Sequence, residues 1–467
     1  MTNSATATRD TTSTKPAGQA PGPAWYTAFG NTLRMQRDPL HFLLEAARQY
    51  GDVVHLSLIF GTFYLINHPD GVKHVLQENN RNYDKNVFDY NILRQLLGRG
   101  LLTDDGESWL RQRRLMQPAF HRQRIAAFGT LMSDATVDML ERWSARAKAD
   151  EPLDIAQEMV RLTLKIVGQA LFDLDLSAET DTVGQAFLTV NRHLSEYLYQ
   201  PFVPLGVPTP RNRRFWAASR ELNQVVDEII QQRRLRNEDT GDLLSMLLLA
   251  RDEETGQGMD DRQLRDEVLT LLLAGHETTS NALSWTWYLL SQHPGVEQRL
   301  REELDRVLAG RLPTVNDLPE LPYSRMVIEE AMRLYPPAWA FSRNVLKGDE
   351  IGGYRIPRGS IVLLCPYTTH RHPAFWHEPE RFDPERFAAG QVANRPRYAY
   401  FPFGGGPRQC IGNNFALIEA QIILTTVLQR YSLHLAPHAV VQPEPLITLR
   451  PRYGLPMTLH PTASLVS

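Results

Sequence analysis

The chain has 467 residues, 42% of them hydrophobic, and a formal net charge of −3. Nearly balanced charge excludes wholesale nucleic-acid binding, and the length suits either about two to four ordinary domains or one large one. Two cysteines, Cys365 and Cys410, exclude a disulfide framework and fit a reducing cytosol.

Met1–Pro23 is rich in Ser, Thr, Ala, Gly and Pro and reads as a disordered tail, leaving 24–467 as one folded unit. Its basic residues, Arg9 and Lys15, are opposed by Asp10 and make a poor transit peptide. No apolar run reaches the roughly 20 residues needed to cross a bilayer. A soluble, cytoplasmic chain without a transmembrane anchor is expected. Asp38–Tyr50 has helical spacing, and Asp52–Ile66 reads as two strands around Phe60-Gly61. From about Pro69 to Leu308 the pattern is mostly helical, with loops near Asn82–Asp105 and Gln200–Asn212. The second loop holds Pro201, Pro204, Pro208 and Pro210, which cannot continue a helix. Trp109 and Arg113 are four apart on a predicted helix and share a face. Their N–H groups suit carboxylate acceptors, although a surface amphipathic pair has the same spacing. Arg111, Arg113, Arg114, Arg122 and Arg124 form a basic stretch, either a solvated face or a guide for an acidic partner.

A long apolar helix is predicted from about Asp261 to Gln292, with Asp260 and Gln263 as a capping box and Pro294 past its end. Apolar around much of its surface, it belongs in a core. Its middle reads Ala274-Gly275-His276-Glu277-Thr278-Thr279. A mid-helix glycine costs about 1 kcal/mol relative to alanine. Threonines bond the carbonyl one turn back, which loosens a turn. The result is a hydroxyl and a carboxylate in an apolar wall; a plain polar nick in a core helix stays open. Glu330 and Arg333, on another predicted helix, are spaced to pair. Ile351–Leu364 looks like short strands, and a last long helix is predicted from about Asn414 to Tyr431. Helices with a few strand clusters indicate a mainly α (α+β) fold. His370, His372 and His377 lack the cysteine or carboxylate frame of a zinc site, and Cys365 reads as a buried small hydrophobe.

Phe401–Gly412 reads FPFGGGPRQCIG. Three glycines and Pro407 force irregular backbone just before Cys410. Turn N–H groups, the start of the following helix and Arg408 all favour a thiolate, lowering the thiol pKa. On the loop alone, a buried free cysteine is the commoner reading, and a metal ligand stays open.

Phe403-x-x-Gly406-x-Arg408-x-Cys410-x-Gly412 resembles the haem-binding signature of the cytochrome P-450 monooxygenases at every fixed position. The long-helix motif, the Glu330–Arg333 pair and Arg386 in Pro384-Glu385-Arg386-Phe387 follow the family order, over about residues 25–460. Arg381, in a near copy of that last motif, is the weaker alternative. The resemblance implies the family's helix-rich triangular prism with small sheets, a single catalytic domain, and haem b between two core helices. It makes Cys410 the iron ligand, with Phe403, Gly412, Ala274 and Gly275 against the haem. Trp109, Arg113, Arg343 and Arg408 would hold its propionates, Glu277 and Thr278 would guide protons, and Glu330, Arg333 and Arg386 would form a structural network. It further implies O2 and NAD(P)H-derived electrons, delivered by a ferredoxin and its reductase or a flavodoxin-type donor. A peroxygenase and a haem sensor both sit badly with an intact acid–alcohol pair. By position, the substrate-pocket residues are Val87, Phe88, Leu97, Leu102, Ala274, Ala338, Trp339, Ala340 and Ile447. The segment Leu334–Ser342 resembles the branch with bacterial fatty-acid hydroxylases, which ranks a fatty acid first, then a steroid or terpenoid. Phe202, Val203, Leu205 and Val207 are placed on an access lid.

Overall fold

The apolar stretch at the centre of the sequence is the axis of the molecule. The computed structural model describes residues 18–59, 61–149, 151–174, 180–199, 203–236, 242–251 and 256–462. Its framing helices are α1 (Ala28–Arg37), α2 (Pro39–Tyr50), α3 (Phe88–Leu97), α4 (Gly106–Met116), α5 (Gly129–Lys148), α6 (Ile155–Phe172), α7 (Thr180–Tyr199), α8 (Pro210–Arg236), α9 (Asp261–Gln292), α10 (Pro322–Leu334) and α11 (Asn413–Leu428). The strands that matter below are β1 (Val53–Leu58), β2 (Gly61–Ile66), β3 (Tyr83–Asp84), β4 (Phe341–Val345), β5 (Asp349–Ile351), β6 (Tyr354–Ile356), β7 (Ile361–Leu364) and β8 (Leu449–Pro451).

Helix α9 spans the predicted range, and Asp260 caps it by accepting the Gln263 N–H at 2.8 Å. Pro294 does more than follow its end. It opens the next helix, where a missing N–H costs nothing. One face of α9 lies along α6, and α11 completes the same apolar core. The five-stranded sheet runs β1-β2-β7-β4-β3, with β2 and β7 parallel and the other neighbours antiparallel. Alternation buries both of its faces: Val53, Tyr64 and Ile66 on one side, Val54, Leu56 and Leu65 against Leu43 of α2 on the other.

Three expectations change. The loop near 82–105 contains α3, whose Tyr90, Ile92, Leu96 and Leu97 are buried and which Gly98 ends at φ +56°. The last helix stops at Leu428, and Tyr431 already belongs to a strand, Tyr431–Leu435. The described part of the tail expected over 1–23 is tied to the fold, because Gly18 bonds with Gly353 and Arg355 while the Pro21 carbonyl accepts the His55 N–H. Residues 1–17 of that tail lie outside the described residues, as do Phe60 of the hairpin tip and Phe202. Among the described residues no helix is long and apolar enough to cross a membrane.

Candidate active site

The cysteine loop is shaped by what it presses against. Gly406 has φ +63°, and a Cβ there would lie 1.8 Å from the Leu76 carbonyl oxygen, so only glycine fits. The Cys410 N–H donates to the Phe403 carbonyl at 3.0 Å. Its thiol opens onto an internal cavity of about 800 Å³, and α11 begins three residues on. Burial pushes the Cys410 thiol up, while the Gly412 N–H and the Arg113 guanidinium pull it down. The expected lowering influences are therefore present, but burial prevails. Cys365 is sealed away, donates to the Trp339 carbonyl at 3.2 Å, and is pushed up to about 11 by burial.

A rim of cations shares this cavity. Arg408 lies 3.6 Å from the centre of the Trp109 ring, donates to the Asp104 carbonyl at 2.8 Å and pairs with Asp105. Arg113 donates to the Gln409 carbonyl at 2.9 Å, and Arg343 to the Tyr90 hydroxyl at 3.2 Å. The sequence reading missed Lys85, which is buried, lines the cavity and donates to the Leu102 carbonyl at 2.6 Å. Burial, then Arg343 and Arg408, hold its amine well below the usual lysine range. No spacing singled it out: it stands alone between Asp84 and Asn86. Lys85, Arg113, Arg343 and Arg408 crowd one cavity, with Asp105 beside Arg408 and buried Asp89 near Arg343, and such a cluster is costly to desolvate unless further anions meet it. A haem fits this donor set: the Cys410 thiol would ligate its iron, the cations would meet its propionates, and Phe403 and Ala274 would wall it.

Helix α9 forms the facing wall. Thr278 donates to the Ala274 carbonyl at 2.9 Å, as its spacing predicts. Gly275 lines the cavity but also has a packing reason: a Cβ there would come within 3.1 Å of Val167 on α6. Glu277 accepts from Asn191 at 2.6 Å and from Thr448 at 2.7 Å. Burial raises its carboxyl to about 7, against the opposing pull of Thr448, Arg450 and Asn191. His276 turns away to the Leu272 carbonyl at 2.7 Å.

Glu330 and Arg333 are fully buried, paired at 2.6 and 2.8 Å, and Arg333 also donates to the carbonyls of His370, Pro379 and Arg381. Arg386 Nε lies 3.4 Å from Glu330, whereas the exposed Arg381 side chain pairs with Glu378. Phe88, Leu97, Leu102, Ala338, Trp339, Ala340 and Ile447 line the cavity; Val87 does not, being buried at the start of α3. Nor do Val203, Leu205 and Val207, because Asn212 and Trp216 tie that loop to itself through the carbonyls of Pro204, Val207 and Leu205. The wall is closed by α7 instead, with Phe187, Val190, Asn191, Leu194 and Ser195. The basic stretch is not one face: Arg113 turns inward, Arg111 holds the Gly258 carbonyl at 2.8 Å, and Arg124 reaches Met246. His370 accepts the Phe401 N–H, His372 meets Asp52, and His377 meets Glu378.

The cytochrome P-450 family model matches residues 20–455. The chain is 40% identical to cyclooctatin synthase of Streptomyces melanosporofaciens over 90% of its length and 91% of that protein's. It is likewise 40% identical to cyclooctat-9-en-7-ol 5-monooxygenase of the same organism, covering 90% of both chains. Pentalenene oxygenase of Streptomyces avermitilis is 36% identical over 93% of this chain and 95% of that one. The haem domain of a cytochrome P-450 designated DA superposes with a TM-score of 0.87 at 29% identity, covering 96% of this chain and 99% of that one. A cysteine thiol under a cation-rimmed cavity, an acid–alcohol wall across from it and this breadth of likeness make the chain a member of the cytochrome P-450 family.

Proposed function

We propose that this monooxygenase inserts oxygen into a terpenoid, with electrons delivered by a separate ferredoxin and reductase or a flavodoxin-type donor. The family carries a haem-thiolate cofactor and is generally served by redox partners. Haem b is the form we assign, in a single catalytic domain that includes Gly18–Pro23 and works in the cytoplasm. The observation that carries the reading is the placement of the Cys410 thiol beneath a mainly apolar cavity walled by Glu277 and Thr278.

Bound there, the haem would activate O2 with NAD(P)H-derived electrons, its cysteine ligand favouring O–O cleavage. Lys85, Arg113, Arg343 and Arg408, with Trp109, would hold the propionates. Thr278 and Glu277 would pass protons in a wall that otherwise excludes water. Phe88, Leu97, Leu102, Ala338, Trp339, Ala340 and Ile447 would orient the substrate by shape. The lysine and arginines among the cavity-lining residues are those same four, all at the rim, so none is left for a fatty-acid carboxylate. That observation and the substrates named by the relatives move a terpenoid ahead of the fatty acid.

Two measurements test this. Replacing Cys410 with Ala abolishes the red-shifted carbon monoxide band of the reduced protein, while replacing Cys365 leaves it. A band that survives loss of Cys410 overturns the assignment. In a ferric spin-state screen, pentalenene-sized hydrocarbons and their alcohols shift the spectrum at lower concentration than fatty acids. The opposite ranking restores the fatty acid.

A further inference from the structure

We infer that Asn191 and Thr448 are positioning residues that reserve Oε1 of Glu277 as an acceptor and so assign the acid proton to Oε2. The inference rests on Glu277 acting as the acid of the proposed function.

Two hydrogens reach Oε1 from outside α9: one from Asn191 Nδ2 at 2.6 Å on α7, one from Thr448 Oγ1 at 2.7 Å. Asn191 is not free to reverse. The Asn191 Oδ1 accepts the Ile447 backbone N–H at 3.3 Å and the Ser195 hydroxyl at 3.4 Å. A backbone N–H only donates, so Oδ1 must face it and the amide nitrogen must face Glu277. Thr448 Oγ1 takes a hydrogen from Asn281 at 3.2 Å on one lone pair and directs its own at Glu277. With both donors directed at Oε1, the proton is favoured on Oε2. Oε2 has no hydrogen-bond partner among the described residues and is not sealed in, so it faces the cavity that Glu277 lines.

The clamp is neutral, and that sets its chemistry. A cation in direct contact would lock Glu277 as a carboxylate. Arg450 acts only from a distance and lies 3.6 Å from Glu444, which also draws Arg192 of α7 to 3.7 Å. His276 of α9 faces the Leu272 carbonyl, and His193 of α7 stacks on Phe215. With neutral donors in contact and Arg450 acting only from a distance, buried Glu277 is raised to about 7, where an acid both gives up and regains its proton. The clamp also ties together α7, α9 and residues 446–448, three walls of the cavity.

The test is an infrared titration of the haem-loaded protein, following the protonated-carboxyl band that Glu277→Gln removes. In the double variant Asn191→Leu/Thr448→Val the band persists to higher pH, because hydrogen bonds to the charged form are gone. A shift of about one pH unit is a tenfold rise in proton affinity. Thr448→Ser keeps a hydroxyl and titrates with the wild type. With a surrogate ferredoxin and reductase, the double variant releases more hydrogen peroxide per NADPH oxidised than Thr448→Ser does. If the double variant titrates where the wild type does, the clamp is overturned while Glu277 remains the acid. If Glu277→Gln changes neither the band nor peroxide release, the acid assignment falls, and the inference with it.

Discussion

Arg333 shows how much a single side chain holds. It fills both oxygens of Glu330 and three backbone carbonyls, with no exposure to solvent. Replacing Arg333 with Ala strands a buried carboxylate and costs about 3–5 kcal/mol, read from the urea midpoint. Lysine does not rescue it, since one ammonium cannot reach five acceptors. The pairing was legible in the three-residue spacing, but its burial was not, because surface pairs have the same spacing. Glu267 was not legible at all. It is buried on α9, accepts the Leu101 N–H at 2.9 Å through Oε2, and Oε1 has no partner among the described residues. Burial raises it to about 8. A carboxyl raised in the folded state contributes stability fully below its unfolded value, about 4.3, and loses it as pH climbs through the folded value. Glu267→Gln therefore reduces the loss of stability between pH about 6 and about 9, measured by urea unfolding at both.

Between elements, the crossing of α6 and α9 is tight. A Cβ on Gly275 meets Val167 at 3.1 Å. Gly275→Val overpacks this crossing and costs about 1–3 kcal/mol. Adding Val167→Ala recovers part of it, so a double-mutant cycle shows coupling instead of additivity. The glycine stood out in the sequence because it breaks a strong helical pattern. That pattern places α9 to the residue at both ends, since a capping carboxylate and a proline mark them. Helix α3 escaped notice because it is short and lies between loop-like runs; what makes it a helix is tertiary burial of Tyr90, Ile92, Leu96 and Leu97.

At the scale of the whole molecule, the cavity collects walls from Thr32 on α1 to Thr448 near the end of the chain. Motifs located the chemistry of this site, because Cys410, Thr278 and Arg113 sit in local patterns. They did not locate Lys85, Asn191 or Thr448, which join it only through packing of distant segments. Lys85 carries a burial cost that, on the proposed function, a haem propionate would offset. Lys85→Met should raise the urea midpoint of the haem-free protein and speed haem transfer to apomyoglobin; a change in only one of the two would separate packing from propionate binding.

The first described residues have a bearing on how the protein is handled. Gly18 borders β6 by bonding Gly353 and Arg355, and Pro21 caps His55 on β1, an outer strand of the five-stranded sheet. Gly22 lies so close to His55 that a Cβ would sit 1.8 Å from its carbonyl oxygen. A chain trimmed to begin at Pro23 would leave both margins with unpaired N–H and C=O groups, the template on which strands of separate molecules add to one another. Such a chain would keep its haem pocket and still self-associate as its concentration rises, and light scattering against the untrimmed chain would show it.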